Sequence, residues 1–447
     1  MASLTGSRIV LVNWRDRWHP QAGGAETYIW EMATGLARRG GQVRLLTARA
    51  PGQLRRERAD GVHIIRMGGR FSVYPLVLGW MLTHRRSADV VVDAQNGIPF
   101  FTPWALPRRV PIFCLIHHVH DRQWGLHFGP LLRWLGRILE GPVARRCYRR
   151  HACITVSPSS RAAIRQRLRW QIPVYMIPNG LTAAAARSPA RSTAHSAARS
   201  TAHSAARSTA HSAAHSTAPF TAGPAAGPTA VPGTAAPRLV WVGRLMPYKR
   251  VGLVLDVAER LRGSGATIDV VGRGPDGEWL AIEVARRGLA SVVRLRGFLP
   301  EPAKAAVVGA ALLQLNTSQG EGFGLSVLEA AALGVPTVAY EVDGLRDAIR
   351  DGRTGWLVGP GDRIGDVVGD AVRELADPRR RAEISGACRA WAAQFNWDRS
   401  AQMLARLLTA AMAAAAGGGL ARGRIAYYLD GDGADGSRHA GPDQLAG

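Results

Sequence analysis

Short, β-branched apolar runs alternate along this chain with longer stretches in which apolar residues recur every three or four positions. The first run, "RIVLV" at 8–12, has the composition of a strand buried on both faces. In the "GGAETYIWEMATGLARRG" that follows, Ile29, Met32, Ala33 and Leu36 share one helical face, and Gly40 supplies a C-terminal cap. Further strands are predicted in "GQVRLLTA", "ADVVVDAQ" (88–95), "VPIFCLIHH" (110–118) and "PVYMIPNG" (173–180). "RHACITVSPSSRAAIRQRL" reads as strand, turn and helix, with Ser157 or Ser159 placed to cap the helix. Such alternation predicts a parallel sheet covered on both faces.

The pattern stops near residue 183. From there to 236 the chain is Ala, Ser, Thr, His, Arg, Pro and Gly, and "ARSTAHSA" repeats from 190, 198 and 206. No large apolar residue is available to offset the entropy of ordering this stretch, so it is expected to be a flexible basic linker or insertion. At 238 the alternation resumes, with strands in "RLVWVGRL", "TIDVVGRGP", "VVRLRGFL", "AALLQLNTS", "VPTVAYE" and "TGWLVGP" and helices in "GLVLDVAERLRG" and "EWLAIEVARRGLA". An apolar helix is expected around 398–415, followed by a Gly-rich tail that frays. The expected fold class is therefore α/β. Two doubly wound, Rossmann-like domains (1–182 and 237–415) are joined by the 183–236 segment, with a flexible tail over 416–447.

Charge adds a second asymmetry. The 447 residues carry a formal net charge of +24, with only two lysines, Lys249 and Lys304, among the basic residues. Residues 1–180 hold 27 Arg against 9 Asp and Glu, a net of +18, so most of the excess lies in the first domain. This favours anionic partners: phosphates, nucleic acid or an acidic membrane surface. The four cysteines (Cys114, Cys147, Cys153, Cys388) have neither CxxC spacing nor a dense framework, which suits a reducing cytoplasm. The first residues show no long apolar segment with a cleavage site. The longest apolar stretch, "YPLVLGWML" at 74–82, is too short to span a bilayer. A soluble or peripheral protein is expected.

Every unusual polar residue falls at the carboxyl end of a predicted strand, where doubly wound domains bind ligands. In "VGRLMPYKR" (242–250) a strand delivers Arg244, and Lys249 follows five residues on, a cation pair suited to a diphosphate. In "SQGEGFGLSVLEAAALGVP" (318–336) a helix is expected to begin near Gly324. Its first amides form an anion site, and Gly322 and Gly324 let a phosphate or sugar approach the backbone. Glu321 stands before this helix and Glu329 about a turn and a half into it, each able to accept hydrogen bonds from paired hydroxyls.

"GEGFGLSVLEAAALGVPTVA" resembles the E-x7-E signature of retaining GT-B glycosyltransferases, glycosyltransferase family 4. Other segments resemble that family in order: "GGAE" (23–26), "PIFCLIHH", "ITVSPSSR", "MIPNG", "VGRLMPYKR" and "DGRTGWLV". The resemblance implies a GT-B architecture, two Rossmann-like domains facing a cleft. It implies transfer of a hexosyl group from a UDP- or GDP-sugar to a lipid-linked or glycan acceptor, with retention of configuration. Arg244 and Lys249 would then bind the donor diphosphate, with Gly23 and Gly24 approaching it from the first domain. Glu329 would hold the ribose, and Glu321 the transferred sugar beside the backbone of Gly322, Phe323 and Gly324. His117 would sit near the reaction centre with Glu321, and His118 is the alternate. No cofactor and no metal is expected: in "LIHHVHDRQW" the His118–His120 pair, near Asp121, lacks an evident third ligand. Donor phosphate would help deprotonate the acceptor, leaving positioning and electrostatics to the protein.

The sequence departs from the family pattern in its long linker and in Asp343 and Asp347, which stand where the family usually has Gly and Glu. The segment 131–151, "LLRWLGRILEGPVARRCYRRH", pairs Leu, Trp and Ile with Arg and suits peripheral contact with an anionic membrane. A cytoplasmic cell-envelope enzyme at the inner face of the cell membrane is the resulting expectation, with no specific nucleic acid partner. Two rival readings have less support in the sequence. A phosphorylase needs a pyridoxal-phosphate lysine, and Lys249 is already placed at the phosphates. A catalytically degenerate GT-B protein binding polyanions would rest on the basic surface alone.

Overall fold

The computed structural model describes residues 4–120, 129–181 and 236–417. The expectations for the linker, for most of the tail and for Asp121 fall outside these residues.

The first domain is an eight-stranded sheet: β1 (Arg8–Val12), β2 (Gln42–Thr47), β3 (Arg56–Ala59), β4 (Val62–Arg66), β5 (Val90–Gln95), β6 (Ile112–Ile116), β7 (Ala152–Thr155) and β8 (Val174–Met176). Their order is β3-β4-β2-β1-β5-β6-β7-β8. All pair in parallel except β3, which runs back against β4. That hairpin turns at Asp60 and Gly61, both with positive φ, the Asp-Gly arrangement that matches strand twist. The sheet is flanked by α1 (Gly24–Arg38), α2 (Val73–Thr83), α3 (Pro130–Ile138), α4 (Ala144–Tyr148) and α5 (Pro158–Gln166). Ser157, not Ser159, caps α5, its side chain accepting from the Ser160 amide.

The second domain is a six-stranded parallel sheet: β9 (Arg238–Val242), β10 (Thr267–Val271), β11 (Val293–Gly297), β12 (Leu313–Asn316), β13 (Thr337–Tyr340) and β14 (Gly355–Val358). Their order is β11-β10-β9-β12-β13-β14. Its helices are α6 (Leu253–Arg260), α7 (Gly277–Arg286), α8 (Glu301–Gly309), α9 (Leu325–Ala332), α10 (Leu345–Ala348), α11 (Ile364–Glu374) and α12 (Pro378–Ala392). In both sheets the chain order reverses beside the central strand, β1 in one and β9 in the other. The loops leaving these strands and their neighbours therefore open onto a crevice.

The final helix, α13 (Trp397–Ala416), differs from expectation. The sequence pattern groups it with the second domain, but its apolar face packs against α1. Leu404, Leu407 and Leu408 join the core of Tyr28, Ile29 and Leu36. The crossing is close because Gly35 has no side chain: a Cβ there would stand 2.3 Å from that of Ala401. Ser400 Oγ donates to the Pro178 carbonyl at 2.7 Å, and Arg39 pairs with Asp398 at 2.9 Å. Periodicity shows which helix face is apolar, not which domain that face covers.

Candidate functional site

The strand-end loops of the two domains meet. From the first domain, the loop after β1 ends at Gly23, the N-cap of α1. Its amide donates to Glu26 Oε2 at 2.8 Å, and buried Glu26 also pairs with Arg15 at 3.2 Å. Exposed Arg244, at the end of β9, reaches across and donates to the Gln21 carbonyl at 3.3 Å. A Cβ on Gly23 would lie 3.7 Å from the Arg244 guanidinium, and one on Gly24 would lie 3.0 Å from Leu325 at the start of α9. The glycine loop thus faces both the Arg244 segment and the mouth of the E-x7-E helix.

At that mouth, Gly324 is the N-cap of α9 with φ of +79°, which a glycine adopts without strain. Phe323 anchors the turn by burying its ring edge-on to Phe395, with centroids 5.4 Å apart. Gly322 lies against the end of β6: a Cβ there would come within 3.0 Å of the His117 carbonyl. Among the described residues, the Phe323 and Gly324 amides donate to no backbone carbonyl. They remain available at the positive end of α9.

Lys249 and Glu321 form a direct ion pair, and Ser318 Oγ donates to the same Glu321 oxygen at 2.7 Å. The side chains are only 13% and 17% exposed, so the charges are largely withdrawn from water. Burial pushes the Glu321 carboxyl up, but Lys249, Ser318 and nearby His118 outweigh it and hold it below its ordinary value. Burial likewise opposes the Lys249 charge, and Glu321 more than offsets that, leaving the ammonium above its usual range.

Glu329 on α9 is held separately. Lys304 of α8 donates to Glu329 Oε2 at 3.0 Å and to Glu301 at 2.9 Å. Burial dominates at Glu329 and raises its carboxyl despite Lys304. The only two lysines in the sequence therefore each neutralise one glutamate of the E-x7-E segment.

The histidines divide. His117 is buried, with its ring 5.0 Å edge-on from Tyr28, and its Nε2 has no hydrogen-bond partner among the described residues. Burial pushes it down to about 3, with help from His118 and His120, so it is neutral at ordinary pH. His118 is half-buried, tilted against His120 at 3.9 Å, and is the histidine whose field reaches Glu321. No cluster of three or more His, Cys, Asp or Glu that could hold a metal occurs among the described residues.

Asp343 and Asp347 bridge the domains. Asp347 accepts from the Ser159 amide at 3.0 Å and from its hydroxyl, whose oxygen in turn accepts from the Gly344 amide at 2.7 Å. The Asp343 carboxylate pairs with Arg167 at 3.1 Å, and its backbone carbonyl accepts from the Glu321 amide at 2.9 Å. Ser160 Oγ joins the two loops, donating to the carbonyls of His117 at 2.7 Å and Gly322 at 3.3 Å. Two residues that depart from the family pattern thus hold the Glu321 loop against the first domain.

Residues 22–185 match the model described as Glycosyltransferase Family 4, and residues 236–377 match that of Glycosyl transferases group 1. The chain pairs a glycosyltransferase family 4 domain with a group 1 glycosyl transferase domain. Among similar proteins, the D-inositol 3-phosphate glycosyltransferase of Streptomyces scabiei is 39% identical over 189 residues, covering 39% of this chain and 41% of that protein. That of Mycobacterium leprae is 39% identical over 175 residues, covering 37% of this chain and 40% of the relative. The chain thus spans about two fifths of the length of these relatives. The fold extends further. Sucrose-phosphate synthase from Thermosynechococcus elongatus superposes with a TM-score of 0.69 at 20% identity, over 91% of this chain and 100% of the other. Anabaena HepE in complex with UDP-glucose superposes at 0.63 and 17% identity, over 90% and 99%. The GT-B architecture implied by the resemblance is therefore the chain's own.

Proposed function

We propose that the chain transfers a hexosyl group from a UDP- or GDP-sugar to a lipid-linked or glycan acceptor, with retention of configuration. The observation that carries this reading is the convergence at the domain junction. Lys249 and Glu321 are paired beside open amides at Phe323 and Gly324, and Arg244 and the Gly23–Gly24 loop stand across from them. A donor diphosphate satisfies this arrangement. Its charge draws Lys249 and Arg244, and its oxygens meet the amides at the start of α9. Lys249 moving to the phosphates frees Glu321 to accept hydrogen bonds from sugar hydroxyls, and Glu329 takes the ribose. Stabilising the departing diphosphate in a partly dry site is the main lever, with the donor's own phosphate taking the acceptor proton. The unpartnered Nε2 of neutral His117 can hydrogen-bond a sugar hydroxyl once the site fills, with His118 the alternate.

For the acceptor, α3 supports a lipid-linked substrate met at an anionic membrane. Leu131, Leu132, Trp134 and Leu135 are 42–74% exposed, and Arg133 and Arg137 on the same helix and Arg145, Arg146 and Arg149 further along the chain are exposed as well. Exposed apolar side chains in an arginine-rich segment fit a bilayer interface bearing negative headgroups. No described helix is long and apolar enough to cross a membrane. A second acceptor reading, a small phosphorylated polyol, rests on two guanidiniums from opposite domains meeting at Gln21: Arg15 on its side chain at 3.2 Å and Arg244 on its carbonyl. The relatives' name, D-inositol 3-phosphate glycosyltransferase, points the same way.

The test is donor turnover. Purified protein is offered UDP-glucose, UDP-GlcNAc, UDP-galactose and GDP-mannose, and nucleotide release is measured, with Glu329→Ala as control. Release from one donor, lost in the variant, is the expected result. No turnover and no thermal stabilisation by any nucleotide would overturn the proposal.

A further inference from the structure

Lys304 belongs to none of the motifs that mark the site. It lies on α8, 25 positions before Glu329, and the fold brings its ammonium to Glu329 Oε2 at 3.0 Å. The same ammonium holds Glu301 at 2.9 Å, so two carboxylates flank one cation. Lys304 is 17% exposed, Glu329 33% and Glu301 74%. The lysine is thus committed to the partly buried carboxylate and braced by an exposed one. Among the described residues the other Glu329 oxygen, Oε1, has no hydrogen-bond partner.

We infer that Lys304 is a positioning residue for the donor nucleoside: it grips one oxygen of Glu329 and leaves the other presented to the ribose hydroxyls. This rests on the proposed role of Glu329 at the ribose. A carboxylate on a helix can swing about its terminal torsion, and an ion pair to one oxygen fixes that torsion. The pair also supports the ionised form. The charged groups acting on Glu329 are Lys304 and Glu301, both from α8; burial and Glu301 favour protonation, and only Lys304 opposes them. A protonated Glu329 would offer a single acceptor pair and one donor, a poorer match to two hydroxyls. Removing the ammonium leaves Glu329 facing Glu301 without a counter-charge, so nucleotide binding weakens further as pH falls. Lys249 serves Glu321 at the other end of the segment, but its chemistry differs: a diphosphate can draw Lys249 away, whereas Lys304 stays with Glu329 in the bound state.

The experiment is calorimetric titration of the full chain with UDP and GDP, and with the 2′,3′-dideoxy form of whichever nucleotide binds, at pH 6, 7 and 8. The variants are Lys304→Met, Lys304→Arg and Glu329→Gln. Expected results are about tenfold weaker binding to Lys304→Met, a loss that grows toward pH 6, and substantial recovery in Lys304→Arg. The dideoxy nucleotide does not distinguish parent from Lys304→Met. If Glu329→Gln loses affinity while Lys304→Met keeps it, the inference falls and the ribose role of Glu329 stands. Unchanged binding in Glu329→Gln removes both. An equal loss for the dideoxy nucleotide in Lys304→Met assigns Lys304 to local folding and overturns the inference.

Discussion

The two domains share an architecture and differ in how they handle charge. The first is arginine-rich and lysine-free; its α3–α4 region exposes arginines to solvent around uncovered leucine and tryptophan side chains. The second places both lysines of the chain, 13% and 17% exposed, each against one glutamate of the E-x7-E segment. An exposed guanidinium attracts anions over a wide surface and pays little desolvation; a withdrawn ammonium paired with a carboxylate is an exchangeable contact at one point. On the function proposed above, the first kind of charge suits a broad anionic surface and the second a small anionic ligand.

The junction between them gives the largest way to break the comparison. If α13 is the brace that fixes one domain against the other, Gly35→Val should destabilise the whole chain. A Cβ at residue 35 already collides with Ala401, and overpacking of this kind costs about 3 kcal/mol. Thermal unfolding should show a single lower transition. A second domain that melts unchanged would show that the helix does not couple them.

A smaller effect sharpens the role of the first domain. Replacing Leu131 and Trp134 together by Ser should weaken binding to vesicles rich in anionic lipid by about tenfold, read by co-sedimentation. Nucleotide binding should stay at the parent level, because the side-chain partners of Lys249 and Glu321 are each other and Ser318, none of them on α3. A fall in nucleotide affinity instead would mean that the helix supports the cleft.

Much of the fold is legible in the sequence. β1, β2 and β5 to β14 lie within runs whose apolar, β-branched composition marks buried parallel strands, and Gly324 was expected at the start of α9. The exceptions have physical causes. The β3–β4 hairpin is rich in Arg and partly exposed, so it lacks a continuous apolar run, although Asp60-Gly61 was a usable turn signal. The placement of α13 depends on a missing side chain at Gly35, which no local pattern reports. At the candidate site, the residues contiguous in motifs come together: Gly23 and Gly24, Arg244, Lys249, Glu321 and the Gly322–Gly324 turn. Glu329 stands apart on its own lysine. Lys304, Ser159, Arg167 and the bridging roles of Asp343 and Asp347 were hidden, because each acts on a partner from another element. Lysine scarcity was the one signal that could have drawn attention to Lys304.

The central claim is that the anion-binding chemistry of the nucleotide lies in the second domain, with the first domain contributing only its glycine loop. Hydrogen–deuterium exchange with and without saturating nucleoside diphosphate, UDP and GDP in turn, tests it most directly. Protection is predicted in peptides covering 242–250 and 318–332, with a smaller change at 21–26, and none of it in Lys249→Met. Protection confined to the arginine-rich 131–151 segment, or persisting in Lys249→Met, would contradict the account.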